Sequence, residues 1–556
     1  MKVIAALWIP AKSGLNEAFK GREPWEIVGM TSATILAAVW FYNIINHEEN
    51  IKERLKKLTV KFGRKLPAIQ KMIQSKIDEL DDDFQKDAMK RLKGEKFFTT
   101  LPDGPMDHQE ILKIVEHSVD LGDYDWKNGR VSGCVYRAND EDLASLVKEV
   151  YGLASLTNPL HPDVFPGICK MEAEVVRIAC RLFNGDDNSC GTMTTGGTES
   201  ILLACKAYRD YAKEVKGITK PEMVMPTTAH SAFDKAAQYL KIKVRTVPIH
   251  PKTYTVNLQD MRKAINRNTI MLVGSAPNFP YGTMDNITEI SRLGLEFDVP
   301  VHVDACLGGF LIPFMRQVGY YLQDYDFSLP GVCSISADTH KYGYAPKGSS
   351  VVLYRDKKYR HHQYTISTEW PGGIYGSPTI NGSRAGGIIA ACWATMMYFG
   401  RKGYLDATQK IIYTARYIEK ELRKLQGIYV MGKPATSVIA VASDDFNIFR
   451  LSEALNKRGW NLNTLQFPSA LHICVTLVHT EKGVAEKFVA DLKQDLESIL
   501  KAPGEQAYGM YAIYGMSQGI ADRSVVKDIT RCFIDSMYYT PSLTSSKTDE
   551  LSTIDE

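Results

Sequence analysis

The chain has no C-x-x-C pair and no cysteine–histidine cluster at zinc spacing, which leaves out a structural zinc site and a thioredoxin-like redox motif. Its ten cysteines stand mostly in apolar surroundings, as in Leu202-Leu203-Ala204-Cys205 and His472-Ile473-Cys474-Val475. Such placement is that of reduced core thiols in a cytosol-facing domain, not of a disulfide framework. Net charge is small, +3 from 67 Lys and Arg against 64 Asp and Glu, so nothing points to a nucleic-acid partner. No internal repeat runs along the chain. A signal peptide would put its apolar region nearer the N-terminus than Ile27 to Ile45 and keep it shorter, with a cleavage site after it.

What is present begins with an uncharged run, Ile27 to Ile45. At about 1.5 Å per residue it reaches roughly 28 Å, close to the hydrocarbon thickness of a bilayer. Trp25 flanks one end, and Trp40 and Tyr42 lie near the other, where an interfacial aromatic belt belongs. Thr31, Ser32, Thr34 and Asn43 dilute the run. A buried soluble helix is the competing reading, but the segment that follows is too charged to supply a packing partner nearby. Lys52, Arg54, Lys56, Lys57, Lys61, Arg64 and Lys65 follow the run closely, against Lys2, Lys12, Lys20 and Arg22 before it. That asymmetry predicts a single-pass membrane anchor with the large C-terminal part facing the cytosol.

The 556 residues are enough for two or three domains. The expected order is a short lumenal N-terminus (1–26), a transmembrane helix (27–45), a charged, helix-prone stalk and N-terminal arm (46–115), a large domain (116–400), a smaller α+β C-terminal domain (401–540) and a disordered Ser/Thr/Asp/Glu-rich tail (541–556). Glu141 to Leu153 and Met171 to Phe183 read as amphipathic helices, and a long helical stretch runs from about Gly387 to Lys424. Short apolar runs at Met223–Met225, Val244–Ile249, Ile270–Gly274, Val299–Val303, Val332–Ser336 and Val351–Tyr354 alternate with helical segments. This pattern predicts an α/β fold whose mostly parallel sheet is covered on both faces. Ligands of such sheets bind at the carboxyl ends of the strands. His230, Asp304 and Lys341 each fall just after one of these runs.

The segment Ser336-Ala337-Asp338-Thr339-His340-Lys341 leads into a loop with Gly343 and Gly348, a polar turn that suits a Schiff-base lysine. Three further segments stand in the order a pyridoxal 5'-phosphate (PLP) enzyme would use: Thr194-Thr195-Gly196-Gly197-Thr198-Glu199-Ser200, Ala229-His230 and Val301-His302-Val303-Asp304-Ala305. PLP needs an amine for its aldehyde, an acid for its pyridine nitrogen, and N–H groups for its phosphate. Lys341 supplies the first and Asp304 the second. Gly197 and Thr198, at the start of a helical run, supply the third. His230 can stack on the ring. Taken singly, each has an ordinary reading: helix cap, turn former or turn histidine.

Together these motifs resemble the fold-type I PLP enzymes of the group II decarboxylase class. Asn158 to Asp163, Gly191 to Thr194, Ala276 to Gly282, Ala337 to Ser350, Glu369 to Gly373 and Ser377 to Arg384 are similar to segments of the sphingosine-1-phosphate lyases, and the likeness extends over roughly residues 100–505. The resemblance implies a homodimer that shares its active sites and is anchored in the endoplasmic reticulum membrane. It implies that Lys341 carries the cofactor, Asp304 holds the pyridinium and His230 stacks on the ring. Gly197, Thr198 and His340 bind the phosphate, and Ser383 reaches in from the other subunit. Tyr136, His161, Tyr281 and Lys347 line the substrate side. The implied reaction is retro-aldol cleavage of the C2–C3 bond of a sphingoid base 1-phosphate to a fatty aldehyde and phosphoethanolamine. An amino-acid decarboxylase on the same fold, or a membrane scaffold with a vestigial PLP site, are the alternatives; intact Lys341 and Asp304 speak against the second.

Overall fold

The computed structural model describes Glu17 and residues 19–45, 66–505 and 523–541, with the side chains of 40–45 outside the description. Most of the expected tail (542–556) and the first part of the expected stalk (46–65) therefore lie outside the described residues. The chain divides into two compact units, residues 1–121 with 519–556, and residues 122–518.

In the first unit, the helix Pro24–Ile45 contains the uncharged run. Trp25, Val28, Met30, Ile35, Leu36 and Val39 on it are all exposed. Among the described residues, no helix is long and apolar enough to cross a membrane. The helix Pro67–Arg91 starts on a proline, whose missing N–H costs nothing in a first turn. It pairs with the helix Arg523–Ser536, where the Phe84 and Phe533 rings meet edge to face at 5.6 Å.

The second unit is built on a seven-stranded sheet. Its strands are β1 (Cys190–Thr194), β2 (Glu222–Pro226), β3 (Lys243–Val247), β4 (Thr269–Ser275), β5 (Val301–Asp304), β6 (Val332–Ala337) and β7 (Ser350–Tyr354), in the order β1-β7-β6-β5-β4-β2-β3. β2 to β6 are mutually parallel, and β7 is antiparallel to both β6 and β1. Two antiparallel pairings in succession return β1 to the direction of β6. The carboxyl ends of β1, β2, β5 and β6 thus open on one edge. All residues of β1, β2, β4, β5 and β7 are buried, as a sheet covered on both faces requires. Alternate residues go to different cores: Val301, Val303, Val351 and Leu353 to one, Val352 and Tyr354 to the other, under the helices Gly197–Lys216 and Ala232–Leu240. β3, at the edge, is largely open and carries Lys243 and Arg245.

After the hairpin β8 (Thr365–Ser367) and β9 (Tyr375–Ser377), the helix Gly386–Leu422 leads out of the large sheet. It breaks at Gly400, whose φ of 51° lies in the left-handed region that glycine enters freely. A four-stranded antiparallel sheet follows: β10 (Tyr429–Val430), β11 (Val438–Ala442), β12 (Asn463–Leu465) and β13 (Ala470–Cys474), in the order β10-β11-β13-β12. The helices Phe449–Lys457 and Val484–Ile499 accompany it. The six apolar runs all form strands. β1 has no such run, because Cys-Gly-Thr-Met-Thr is short and half polar. The helix expected from Met171 begins at Pro166, an opening proline that the apolar period does not register.

Candidate active site

Lys341 stands on the turn after β6. Lys341 N–H donates to the Asp338 carbonyl at 3.3 Å, and Tyr344 N–H to the Lys341 carbonyl at 3.0 Å. The Thr339 hydroxyl donates to Ser349 at 2.8 Å, and the His340 ring bonds the Ser349 carbonyl, so the loop closes on itself. Gly343 cannot be replaced there, since a Cβ would lie 2.3 Å from the Thr339 carbonyl oxygen. The Tyr404 hydroxyl fixes the same point by donating to the Gly343 carbonyl at 3.0 Å. Lys341 Nζ is 2.9 Å from Asp338 Oδ2. Burial alone would lower the lysine's proton affinity, but the Asp338 carboxylate carries it above the ordinary lysine value. Asp338 is itself buried, and its Oδ1 has no hydrogen-bond partner.

Asp304 ends β5 between Ser275 on β4 and Ser336 on β6. Its Oδ1 accepts from Cys306 N–H at 3.0 Å and from the Ser336 hydroxyl at 3.4 Å. Burial pushes the neighbouring Cys306 thiol well up, so it stays protonated.

The third part of the site is the start of the helix Gly197–Lys216. A Cβ on Gly197 would sit 2.8 Å from both Asp338 oxygens and from Cys306 Sγ, so the close approach of helix and turn needs glycine at that position. The Glu199 carboxylate accepts from Thr195 N–H and Oγ1, both at 2.7 Å, and from Ile380 N–H at 3.1 Å. Beneath it, Thr194, Ser200 and Ser350 join hydroxyls at 2.7 and 2.9 Å, and Ser350 donates to the Ala337 carbonyl at 3.1 Å. The helix start is thereby tied to β1, β7 and β6 together. Its first N–H groups and the positive end of its dipole form an anion cradle. His340 borders this cradle, its Cε1 3.9 Å from where a Gly196 Cβ would be.

His230 is exposed beyond β2, and its Nδ1 accepts from Ala232 N–H at 3.2 Å. Its ring meets Phe279 at 6.3 Å, and Phe279 meets His472 at 4.9 Å. Tyr136 is buried edge to face on Tyr342 at 4.8 Å, and Lys347 Nζ lies 5.2 Å from the Tyr136 ring centre. Burial raises the Tyr136 phenol well above its ordinary value, so it keeps its proton. A cavity of about 540 Å³ opens beside Tyr136, His340 and Lys347, walled by Trp126, Val135, Leu143, Ala144 and Val147.

Lys341, Asp338, Asp304, Gly197 and His340 thus converge, and Tyr136 and Lys347 border the same loop. Three expected residues are placed differently. Tyr281 is drawn into an apolar cluster with Met431, Ala440 and Leu465. His161 is exposed; Ser383, also exposed, lines a cavity with Thr195, Glu199 and Gly348 beside the helix start. Their loops touch each other: Asn158 Oδ1 accepts from Leu160 N–H at 3.0 Å and from Arg384 N–H at 3.1 Å. Asp338, Cys306 and Phe279 join the site without having been foreseen. Only the position of Asp338, three residues before Lys341, could have signalled it.

The donor set fits PLP: a lysine on a fixed turn, a carboxylate at a strand end, an anion cradle at a helix start, and a buried Asp338 oxygen left without a donor.

The conserved domain of pyridoxal-dependent decarboxylases matches residues 91–442. The chain is 56% identical to the sphingosine-1-phosphate lyase of Drosophila melanogaster, over 96% of this chain and 98% of that one. It is 47% identical to sphingosine-1-phosphate lyase 1 of Mus musculus, over 98% and 95%. Among solved structures, the sphingosine-1-phosphate lyase of Burkholderia pseudomallei superposes with a TM-score of 0.72 at 40% identity, covering 78% of this chain and 98% of that one.

Proposed function

The chain belongs to the sphingosine-1-phosphate lyases of the pyridoxal-dependent decarboxylase family, and we propose that Lys341, Asp304, His230, His340 and the helix start at Gly197–Thr198 hold its PLP. It is a PLP-dependent lyase of sphingolipid degradation. It cleaves the C2–C3 bond of a sphingoid base 1-phosphate, giving a long-chain aldehyde and phosphoethanolamine. The large unit has the fold-type I architecture.

PLP, when bound, supplies the electron sink for the pair released as the carbon–carbon bond breaks. The residues of the chain do the rest. Asp304 would face the pyridine nitrogen with a carboxylate, and the anion cradle would hold the phosphate. Asp338 lies 2.9 Å from Lys341 Nζ and holds the proton on the amine, and so would set when the amine becomes free to react. Tyr136 holds a proton beside the cationic Lys347, and that pair suits the substrate phosphate and the proton transfers at C3 and C2. The apolar wall from Trp126 to Val147 is of the size and character for an alkyl chain.

Two further features belong to this reading. Leu153 (87% exposed) and Leu156 (93%) precede the loop of His161 and Ile374 (84%) precedes that of Ser383, and such exposed apolar side chains support a homodimer in which those two residues serve the partner's cleft. The exposed apolar side chains of the helix Pro24–Ile45, with the basic run after it, support a membrane anchor with the catalytic part on the cytosolic side of the endoplasmic reticulum. A tethered enzyme meets a lipid substrate where the lipid is concentrated.

The observation that carries the assignment of the site is the convergence of Lys341, Asp304 and Gly197 on one sheet edge. The test is to give the purified, PLP-loaded protein a long-chain sphingoid base 1-phosphate. Aldehyde and phosphoethanolamine should appear in equal amounts, and Lys341→Ala should produce neither. Wild-type turnover by Lys341→Ala would overturn the assignment.

A further inference from the structure

A polar chain that the reaction does not call on runs under the sheet. His302 stands two residues before Asp304 on β5, so both side chains leave the same face. Ser334 and Ser336 lie beside them in register on β6. His302 Nδ1 is 2.7 Å from Ser334 Oγ, and its Nε2 is 3.2 Å from Ser336 Oγ. The Tyr208 hydroxyl, on the overlying helix Gly197–Lys216, donates to Ser334 Oγ at 2.6 Å. At the other end Ser336 donates to Asp304 Oδ1 at 3.4 Å. Tyr208, His302, Ser334 and Ser336 are completely buried.

Counting donors assigns the protons. An ionised Asp304 only accepts, so the Ser336 hydrogen goes to it. Ser336 then has lone pairs left for His302, whose Nε2 must carry the ring hydrogen. Nδ1 is left as acceptor and takes the Ser334 hydrogen, and Ser334 in turn accepts from Tyr208. Every hydroxyl donates once, and all dipoles point toward Asp304. The opposite tautomer would draw the Ser336 hydrogen onto His302 and strip Asp304 of that donor. Burial keeps the imidazole neutral, with its pKa lowered to about 4, as the chain requires. Buried completely, such a chain is strongly directional.

We propose that His302 is a positioning residue for the cofactor acid: through Ser336 it turns a hydroxyl hydrogen onto Asp304 and makes that carboxylate a weaker base, leaving the shared proton on the pyridine ring. This rests on Asp304 being the partner of the ring nitrogen. A less basic carboxylate shifts the proton toward the ring, and a protonated ring is the stronger electron sink.

The experiment uses the full chain reconstituted with PLP labelled with nitrogen-15 in the ring. The ring-nitrogen chemical shift reports protonation directly and needs no turnover. Wild type should give the protonated shift. Ser336→Ala and His302→Asn should both move the signal toward the neutral ring and weaken PLP retention by roughly tenfold. Acting through one chain, the two changes combined should cost no more than either alone. Melting of the cofactor-free variants reports folding separately, and Ser336→Ala, which removes one oxygen, secures the test if His302→Asn fails to fold. A wild-type shift in well-folded Ser336→Ala, or additive losses in the double variant, would overturn the relay. An unprotonated ring in wild type would overturn the Asp304 reading itself, and so separates the two failures.

Discussion

Asp338 holds the Lys341 ammonium at 2.9 Å from three residues back on the same turn, while its other oxygen has no hydrogen-bond partner among the described residues. Burial by itself would favour the free amine; the carboxylate reverses that. Only the free amine can attack the cofactor aldehyde. Replacing Asp338 by Asn should therefore lower the lysine's proton affinity and speed capture of PLP by the cofactor-free protein at neutral pH. The visible absorbance of the lysine-bound cofactor follows this capture from pH 6.5 to 9. Asp338→Asn should load several-fold faster across this range, because the wild-type lysine keeps its proton throughout it. Equal loading rates at every pH for the two proteins would show that Asp338 does not control the lysine.

The contrast between Asp338 and Lys341 also shows how far the sequence could be read. That Lys341, Asp304 and Gly197 come together was legible because chemistry-bearing residues stood at the ends of apolar runs, in an order that a sheet edge would collect. β2 and β4 to β7 were legible because burial on both faces leaves uninterrupted apolar or β-branched residues. Asp338, Cys306 and His302 were not, since their meaning depends on which residues face them across strands. Tyr281 illustrates the same limit: the resemblance puts it on the substrate side, yet within the single chain its ring joins Tyr254 at 4.8 Å and packs against the small sheet.

His161 and Ser383 lie on exposed loops bonded to each other. If they complete the partner's cleft, two dead variants should rescue one another. Lys341→Ala and the double change His161→Ala/Ser383→Ala should each be inactive as homodimers. Co-expressed and purified as mixed dimers, they should recover about a quarter to half of wild-type turnover per dimer, from the one cleft with every residue intact. Mixed dimers as inactive as their parents would place both residues in the cleft of their own chain.

The groove between Trp126 and Val147 makes a prediction about chain length. Val147→Trp fills its wall without touching the cofactor residues. KM for a long-chain substrate should rise by roughly tenfold, the cost of losing one or two buried methylenes' worth of contact, while a short-chain analogue is turned over as before. Equal losses for both chains would mean that the alkyl group runs elsewhere.

Acid should destabilise the fold through buried histidines. His302, His472 and His479 are fully buried, and burial lowers each pKa to about 4 from an ordinary 6.5. Between those values the unfolded chain binds protons that the folded one refuses, so stability is complete above pH 6.5 and declines as pH falls toward 4. At 1.36 kcal/mol per pH unit, each histidine costs up to about 3 kcal/mol across that window. Asp285 works the other way: burial raises it to about 6, so the folded chain gains relative stability as pH falls from 6 toward 4. His340, lowered by burial, adds to the histidines, and Asp234, raised by burial, adds to Asp285; above pH 6 the histidines dominate. The melting temperature of the cofactor-free protein should thus start to fall below pH 6.5 and keep falling to pH 4.5. A flat profile over that range would mean that the three imidazoles gain partners or water on protonation.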